Sequence, residues 1–250
     1  MIGFSCPPYC LRPFKEVADL VVGKFELWEI VAEANHFLPG IEKQIRELKE
    51  TSGIKLSIHA PFSDINIAAF DEPTRRYSVK VLLETFEIAS RLGIGVVTIH
   101  PGSICAIQTF DKTRVVALTR KSLEEISKKA GEFSTAIALE NMPEMRFAIC
   151  KTADAMEQML DGLNLRVCYD IGHANTTGQL KEMPRLKRLF SNVHIHDNIG
   201  KRDEHFTLGA GNINFKQALK SLEGYEGDYV LEATSLESGL ASKKHLEKLL

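Results

Sequence analysis

The stretch GVVTIH, residues 95–100, shows how this chain is organised, because a short β-branched apolar run leads directly into a polar side chain. Few polar positions interrupt the run, which is typical of a parallel strand that is covered on both faces. A helical pattern precedes it over residues 73–92, with apolar residues at spacings of three and four. Gly93 follows as a natural residue just past a helix C-terminus. The stretch therefore indicates one helix-to-strand step of an α/β fold.

The same step recurs along the whole chain. The eight candidate strands cover residues 2–5, 25–29, 55–59, 96–100, 136–140, 166–170, 192–196 and 229–232. Strands that alternate with helices, without a Pro/Gly/Ser-rich linker, predict one α/β domain over residues 1–250. Eight units in about 250 residues favour a closed (βα)₈ TIM barrel over an open doubly wound sheet. No GxGxxG or GxxxxGK motif follows a strand, which also disfavours nucleotide-binding folds.

Composition limits the class of protein. Hydrophobic residues make up 44% of the chain and charged residues 26%, as in ordinary globular proteins, and the net charge of −2 gives no general attraction to polyanions. The first residues do not read as a signal peptide, and no run approaches the roughly 18 apolar residues of a membrane span. Five scattered cysteines without a CxxC pair favour a reduced, cytoplasmic setting.

Potential metal ligands stand at the ends of the predicted strands from the third onward. They are His59, His100, Glu140, Asp170, His194 and Glu232. In a closed barrel these ends meet at one mouth, where active sites lie, and ionisable side chains in such crowded places are rarely unpaired. Imidazoles and carboxylates suit zinc or manganese. The pattern therefore predicts a metal site at the mouth.

Three further residues enlarge the predicted ligand set. They are His173, which is three positions after Asp170, and the pair Asp203 and His205. Nine ligands exceed what one tetrahedral ion uses. Two or three ions, bridged by a carboxylate such as Glu140 or Glu232, would account for all nine ligands.

Several other polar residues each have two interpretations. Glu29, at the end of the predicted second strand, is a substrate contact or part of a structural salt bridge. Asn141, Asn66 and Asn198 bind substrate hydroxyls or shape loops. His196 faces the same pocket, either as a substrate contact or as a group supporting the ligands.

Basic residues near the predicted mouth are few, and they too have two interpretations. They are Arg75, Arg76, Arg146, Lys201 and Arg202. Together they would form the rim of a nucleic-acid-binding groove. Taken singly, each is part of an ordinary solvated surface.

Short motifs at the strand ends resemble those of the xylose isomerase-like TIM-barrel superfamily. The motifs are HAPF from His59, HPG from His100, EN at Glu140, DIGHA from Asp170, HIHDN from His194, DEHFTLGAGNI from Asp203 and LEAT around Glu232. This superfamily includes sugar isomerases and epimerases as well as apurinic/apyrimidinic (AP) DNA-repair enzymes of the endonuclease IV type. The resemblance extends from the second strand to the last and looks closest to archaeal-type proteins called sugar phosphate isomerase/epimerase.

The resemblance implies three groups of ligands. In the endonuclease IV pattern, one ion is held by His59, His100 and Glu140, a second by Glu140, Asp170, His194 and Glu232, and a third by His173, Asp203 and His205. The isomerase and epimerase branch mainly uses the second group, for a single divalent ion. The chain departs from the endonuclease pattern in a shorter loop between His194 and Asp203. It also lacks a counterpart of the bulky and basic DNA-inserting residues after the second strand.

Two functions are expected from this resemblance. The first is a divalent-metal-dependent isomerase or epimerase of a sugar or sugar phosphate, in which Glu140 and Glu232 transfer a proton through a metal-stabilised enediolate. Glu29, Asn141 and His196 are its expected substrate contacts. The alternative is a zinc-dependent AP endonuclease that cleaves the phosphodiester at abasic sites in DNA, which requires a positive groove. A non-catalytic metal-binding barrel is the third possibility, although barrel mouths of this kind are usually catalytic.

Overall fold

A computed structural model describes residues 1–250 and confirms the predicted barrel. Eight parallel strands close in chain order, and the first pairs with the last. The strands are β1 (Ile2–Ser5), β2 (Leu27–Val31), β3 (Lys55–His59), β4 (Val96–Ile99), β5 (Ala136–Glu140), β6 (Arg166–Asp170), β7 (Phe190–Ile195) and β8 (Asp228–Glu232). Parallel pairing around a closed barrel brings all eight carboxyl ends to the same rim.

Helices cover the outside of the barrel. They are α1 (Phe14–Val21), α2 (Leu38–Ser52), α3 (Glu72–Arg91), α4 (Lys112–Ala130), α5 (Ala153–Leu160), α6 (Ile171–Thr176), α7 (Phe215–Ser221) and α8 (Leu236–Leu246). Short 3₁₀ helices occupy Pro7–Leu11, Ala34–His36, Ala106–Phe110 and Met183–Leu189. The side chains of Asp71, Asp111 and Thr152 cap α3, α4 and α5 by accepting a backbone N–H bond, which stabilises each first turn. No helix has both the length and the apolar character that a bilayer crossing requires.

The apolar core lies between the strands and the helices. Alternation along each strand directs residues such as Ile30, Val97 and Leu139 outward, where they are fully buried. The inside of the barrel is instead polar below the mouth. There the Asn192 amide on β7 donates to the Thr98 hydroxyl on β4 at 3.0 Å, a bond that crosses the interior because these strands are not neighbours.

β2 begins and ends two residues later than predicted. Its pairing with β3 joins Leu27 to Lys55 and Val31 to His59, which places Glu29 beside Ser57 in the middle of the strand. Glu29 therefore does not end β2, and its side chain is completely buried inside the barrel. Of the two interpretations of Glu29, burial inside the barrel favours the structural salt bridge, because the apolar run continues past Glu29, and contact with substrate stays a prediction.

Candidate metal centre

The carboxyl end of the barrel brings the nine predicted ligands together in three groups. Within each group the nitrogen or oxygen atoms that would bind a metal all lie within 4.8 Å of one another. The groups are His59, His100 and Glu140; Glu140, Asp170, His194 and Glu232; and His173, His196, Asp203 and His205. We call them the first, central and rim groups. The rim group contains one residue, His196, that the sequence did not assign as a ligand.

Glu140 belongs to two of the groups because its two oxygens face different partners. Its Oε2 lies 3.1 Å from His100 Nε2 and 3.3 Å from His59 Nε2, while its Oε1 lies 3.4 Å from His194 Nδ1. Burial would raise the pKa of Glu140, but the surrounding imidazoles, His194 above all, hold that pKa well below its usual range. The carboxylate is thus ionised and positioned to bridge the first and central groups.

The DIGH segment directs two ligands from a single helix start. Asp170 caps α6, and its Oδ1 accepts the backbone N–H of His173 at 2.6 Å, which leaves a buried Oδ2 without a partner. The His173 Nδ1 lies 2.8 Å from the Asn141 carbonyl oxygen, so this nitrogen is the donor. Its Nε2 lies 3.3 Å from Asp203 and is the nitrogen that a metal would bind after losing its proton.

Asp197 organises the loop that supplies Asp203 and His205. Its buried carboxylate accepts backbone N–H bonds from Gly209 at 2.9 Å and Gly211 at 2.8 Å, so the loop after β7 is wrapped around it. A side chain at position 211 would collide with this carboxylate, which explains the glycine. Sequence reasoning missed the role of Asp197, although its place within HIHDN was a signal.

The asparagines beside the ligands shape the backbone. Asn141 is fully buried, and its amide both donates to the Asp170 carbonyl at 3.0 Å and accepts the Asp170 N–H at 2.8 Å. Asn66 bonds to the backbone of Ser103, and Asn198 donates to the Gly172 carbonyl. These bonds favour the interpretation that Asn141 shapes a loop, and its contact with substrate stays a prediction.

Glu29 lies directly beneath the central group. Its Oε1 is 3.0 Å from His194 Nε2, and its Oε2 accepts from the Ser57 hydroxyl at 3.1 Å. The Asn192 amide also lies 3.2 Å from Nε2, so Glu29 and Asn192 together fix the ring with its Nδ1 facing Glu140 and Glu232. Glu29 is thus a positioning residue for His194.

We expect Glu29→Leu to weaken zinc binding by about 10–100-fold, because partners behind a metal-binding histidine have effects of this size. Glu29→Gln keeps an oxygen acceptor at the same place, so we expect a smaller loss of zinc affinity for this variant. A zinc titration in competition with a fluorescent chelator measures the zinc dissociation constants of both variants. Glu144→Gln, at an exposed position, is the control. Zinc binding of wild-type strength in Glu29→Leu would contradict the positioning role.

Metal affinity is also expected to depend on pH. Burial opposes the charged form of His205, but the Asp203 and Glu232 carboxylates raise its pKa to about 9. The carboxylates likewise raise the pKa of His173 well above its usual value despite its burial. A metal must displace these protons, so the apparent affinity should increase as the pH rises from 6.5 towards 9, with proton release on binding. Calorimetry in buffers of different ionisation enthalpy measures that release, and a constant affinity over this range would contradict the expectation.

The donor atoms fit a divalent cation. Asp170 Oδ2, Asp203 Oδ1, His194 Nδ1 and His196 Nε2 are all buried without a hydrogen-bond partner. Unpaired buried polar atoms are costly, and here they are concentrated within the three groups. A nitrogen and oxygen set of this kind suits zinc or manganese. The residues therefore fit the predicted metal ions.

A cavity of about 400 Å³ opens above the three groups. Glu140, Glu232 and Asp203 reach it from below, while Phe62, Met142 and Phe147 contribute to its apolar walls. Phe62 stacks on the His100 ring with the ring centres 4.8 Å apart. None of the 20 lining residues is Lys or Arg, and the ionisable groups of the lining are His, Asp and Glu side chains.

His196 and Arg75 do not lie where the sequence suggested. His196 is 1% exposed and does not line the cavity, which favours its interpretation as a group supporting the ligands, while contact with substrate stays a prediction. Arg75 is also 1% exposed and forms ion pairs with Glu72 and Glu125 between α3 and α4. It is therefore not part of an exposed basic surface. The other four basic candidates, Arg76, Arg146, Lys201 and Arg202, are exposed.

Fold and site together define a (βα)₈ barrel with clustered metal-ligand side chains at its mouth. The profile of the family "Xylose isomerase-like TIM barrel" matches residues 16–249. The chain therefore belongs to the xylose isomerase-like TIM-barrel family, as its strand-end motifs predicted.

Individual relatives within this family differ in their described activity. An uncharacterized protein from Methanocaldococcus jannaschii is 35% identical over 236 residues, covering 90% of this chain and 80% of the relative. A solved D-tagatose 3-epimerase-like protein superimposes with a TM-score of 0.92 at 30% identity, covering 99% of this chain and 96% of that one. A probable endonuclease 4 from Aquifex aeolicus is 27% identical, covering 84% of this chain and 82% of the relative.

Proposed function

We propose that this protein is a divalent-metal-dependent isomerase or epimerase that acts on a sugar. The observation that carries the proposal is that Glu140 and Glu232 face one cavity of about 400 Å³, a size typical of small-molecule sites. Apolar side chains form much of its wall, and neither Lys nor Arg lines it. A neutral carbohydrate suits such a surface better than a polyanion does.

Two carboxylates and one imidazole supply the reacting end of the cavity. Glu140 Oε1 and Glu232 Oε1 lie 3.4 Å and 3.1 Å from His194 Nδ1. Burial would raise the pKa of Glu232, but His194 and His205 lower that pKa to about 2, so the group is ionised near neutral pH. Either carboxylate can then accept a proton from a substrate carbon and return it elsewhere. A divalent ion bound in the central group would polarise the substrate's carbonyl and adjacent hydroxyl oxygens.

The apolar walls contribute to selectivity. Phe62 and Phe147 offer aromatic surface to the carbon face of a sugar, and their presence limits water around the reacting carbon. Because the lining contains no Lys or Arg, we infer that the substrate is unphosphorylated or carries its phosphate outside the cavity. The likeness to the D-tagatose 3-epimerase-like protein supports carbohydrate chemistry.

A zinc-dependent AP endonuclease is the second candidate. All three ligand groups implied by the endonuclease IV pattern are present, and a probable endonuclease 4 is among the relatives. Clustered ions of this kind suit phosphodiester hydrolysis. DNA binding, however, needs a cationic surface. The cavity lining contains no Lys or Arg, and Arg75 is buried, which leaves only the four exposed residues Arg76, Arg146, Lys201 and Arg202. The second candidate is therefore the less favoured.

One comparison tests the two candidates. Protein loaded with Mn²⁺ or Zn²⁺ is incubated in D₂O with a panel of ketoses and aldoses, and deuterium incorporation at carbon is followed by NMR. The same preparation is incubated with a duplex that contains an abasic site. We expect exchange into at least one sugar and no incision. Incision without exchange would overturn the proposal in favour of the endonuclease.

A further inference from the structure

His196 is a ligand-type side chain that the proposed sugar chemistry does not use. It is 1% exposed, and neither of its ring nitrogens has a hydrogen-bond partner. A buried imidazole normally donates from at least one nitrogen, because an unpaired polar group in the interior is costly. It is not one of the residues that line the cavity. The burial of this imidazole therefore requires a partner among the groups that surround it.

Carboxylates of two ligand groups surround the Nε2 atom of His196. This atom lies 3.2 Å from Asp203 Oδ1 and 3.3 Å from Asp170 Oδ1. Asp203 Oδ1 is itself buried without a hydrogen-bond partner, although the Oδ2 of the same residue lies 3.3 Å from His173 and 3.2 Å from His205. Asp203 thus connects all three imidazoles of the rim group.

The donor atoms of the rim group lie close enough together to bind one cation. Four donors at about 2.0–2.1 Å from a zinc ion are about 3.3–3.4 Å from one another. The distances from His173 and His205 to Asp203 Oδ2 are 3.3 and 3.2 Å, and the distance from His196 to the other oxygen, Oδ1, is 3.2 Å. Three imidazoles and one carboxylate also form a donor set that zinc accepts. The rim group therefore offers four protein donors to one cation.

The surrounding backbone makes room for the His196 ring. A side-chain carbon at position 172 would collide with that ring, so the glycine of the DIGH segment is needed for His196 to occupy its place. On its other side the His205 ring stacks on His196 with centres 4.0 Å apart and planes inclined by 16°. His205 itself has a positive φ of 50°, a strained conformation that persists only when its surroundings enforce it.

We propose that His196 is the fourth protein ligand of the cation held by His173, Asp203 and His205, and that it closes this site to substrate. The inference rests on the metal-binding part of the proposed function, but not on the sugar chemistry. Zinc sites with four protein ligands are structural, whereas catalytic sites keep one position open. The rim cation then ties the loop after β7 to α6, and the central group alone receives substrate oxygens.

A zinc-loaded crystal structure tests the proposal directly. Anomalous scattering locates the ions, and we expect one ion 2.0–2.1 Å from His196 Nε2, as zinc–imidazole bonds require. An ion bound by His173, Asp203 and His205 with a water as its fourth ligand, or no ion in the rim group, would overturn the proposal. This readout does not depend on sugar turnover, so failure of the proposed reaction would remain distinguishable from failure of the inference.

Two variants test the same point in solution. His196→Asn removes the fourth ligand, and Gly172→Ala displaces its ring without changing any donor. Both variants are expected to bind one zinc ion at least about tenfold more weakly, as measured by equilibrium dialysis and elemental analysis. His59→Asn, in the first group, should instead weaken a different ion and leave the zinc–His196 bond visible in its crystal structure. Wild-type zinc content and affinity in a folded His196→Asn protein would contradict the proposal.

Discussion

Glu140→Gln should reduce kcat for proton exchange into the sugar by about 10²–10⁴-fold, the usual contribution of a general acid–base group. Glutamine keeps the size of the side chain and one oxygen that can bind a metal, but it cannot act as a base towards a substrate carbon. Glu140 also bridges the first and central groups, with contacts of 3.1–3.4 Å to His59, His100 and His194. The substitution therefore removes a base and weakens two ligand groups at once.

Exchange into the sugar and zinc content are measured on the same Glu140→Gln preparation. Retained metal with lost exchange would identify proton transfer as the main role, whereas loss of both would identify metal binding. Glu144→Gln is the matched control, because this residue follows the same strand but is exposed and paired with Lys151. A double variant, Glu140→Gln with Glu232→Gln, that keeps wild-type activity would defeat the proposed mechanism.

Removal of metal by a chelator should abolish activity and lower the melting temperature by about 10 °C. A ligand that binds only the folded state at a thousand times its Kd contributes about 4 kcal/mol, and each kcal/mol shifts the Tm of a chain this long by about 2–4 °C. The physical reason is that Asp170 and Asp203 have buried oxygens without partners, which a cation would satisfy.

Calorimetry of chelated and reconstituted protein measures the change in melting temperature, and the deuterium exchange assay measures the activity. Added Zn²⁺ or Mn²⁺ should restore both, whereas Mg²⁺ should be less effective, because it prefers oxygen ligands to imidazole. Unchanged exchange after complete metal removal, verified by elemental analysis, would contradict a metal-dependent reaction. An unchanged Tm would contradict the structural contribution of the cations.

The ligand groups were predictable because a parallel barrel converts sequence order into spatial proximity. His59 and Glu140 are 81 positions apart, yet each ends a strand, and closing the barrel brings them within 3.3 Å. The same rule places Glu232 beside His194. A histidine or carboxylate at a strand end is therefore enough to predict where that side chain lies.

Side chains that support the ligands could not be predicted in this way. The apolar run around β2 extends beyond the strand, and only pairing with Ser57 on β3 decides that Glu29 points beneath His194. Asn141 and Asp197 stand next to ligands in sequence, but hydrogen bonds to distant backbone decide that they hold loops. The sequence predicted that the Arg75 side chain is exposed to solvent. The packing of α3 on α4 instead buries it beside Glu125.

By itself, the sequence determined the barrel, its eight strands to within two residues, and the nine side chains that meet at its mouth, because apolar periodicity and strand-end position are local properties. Only the tertiary structure decided which atoms of those side chains face one another and which residues stand behind them. His196 shows the difference, since its place depends on the space left by Gly172 and on the ring of His205. Such contacts join segments far apart in the chain, and no local pattern encodes their geometry.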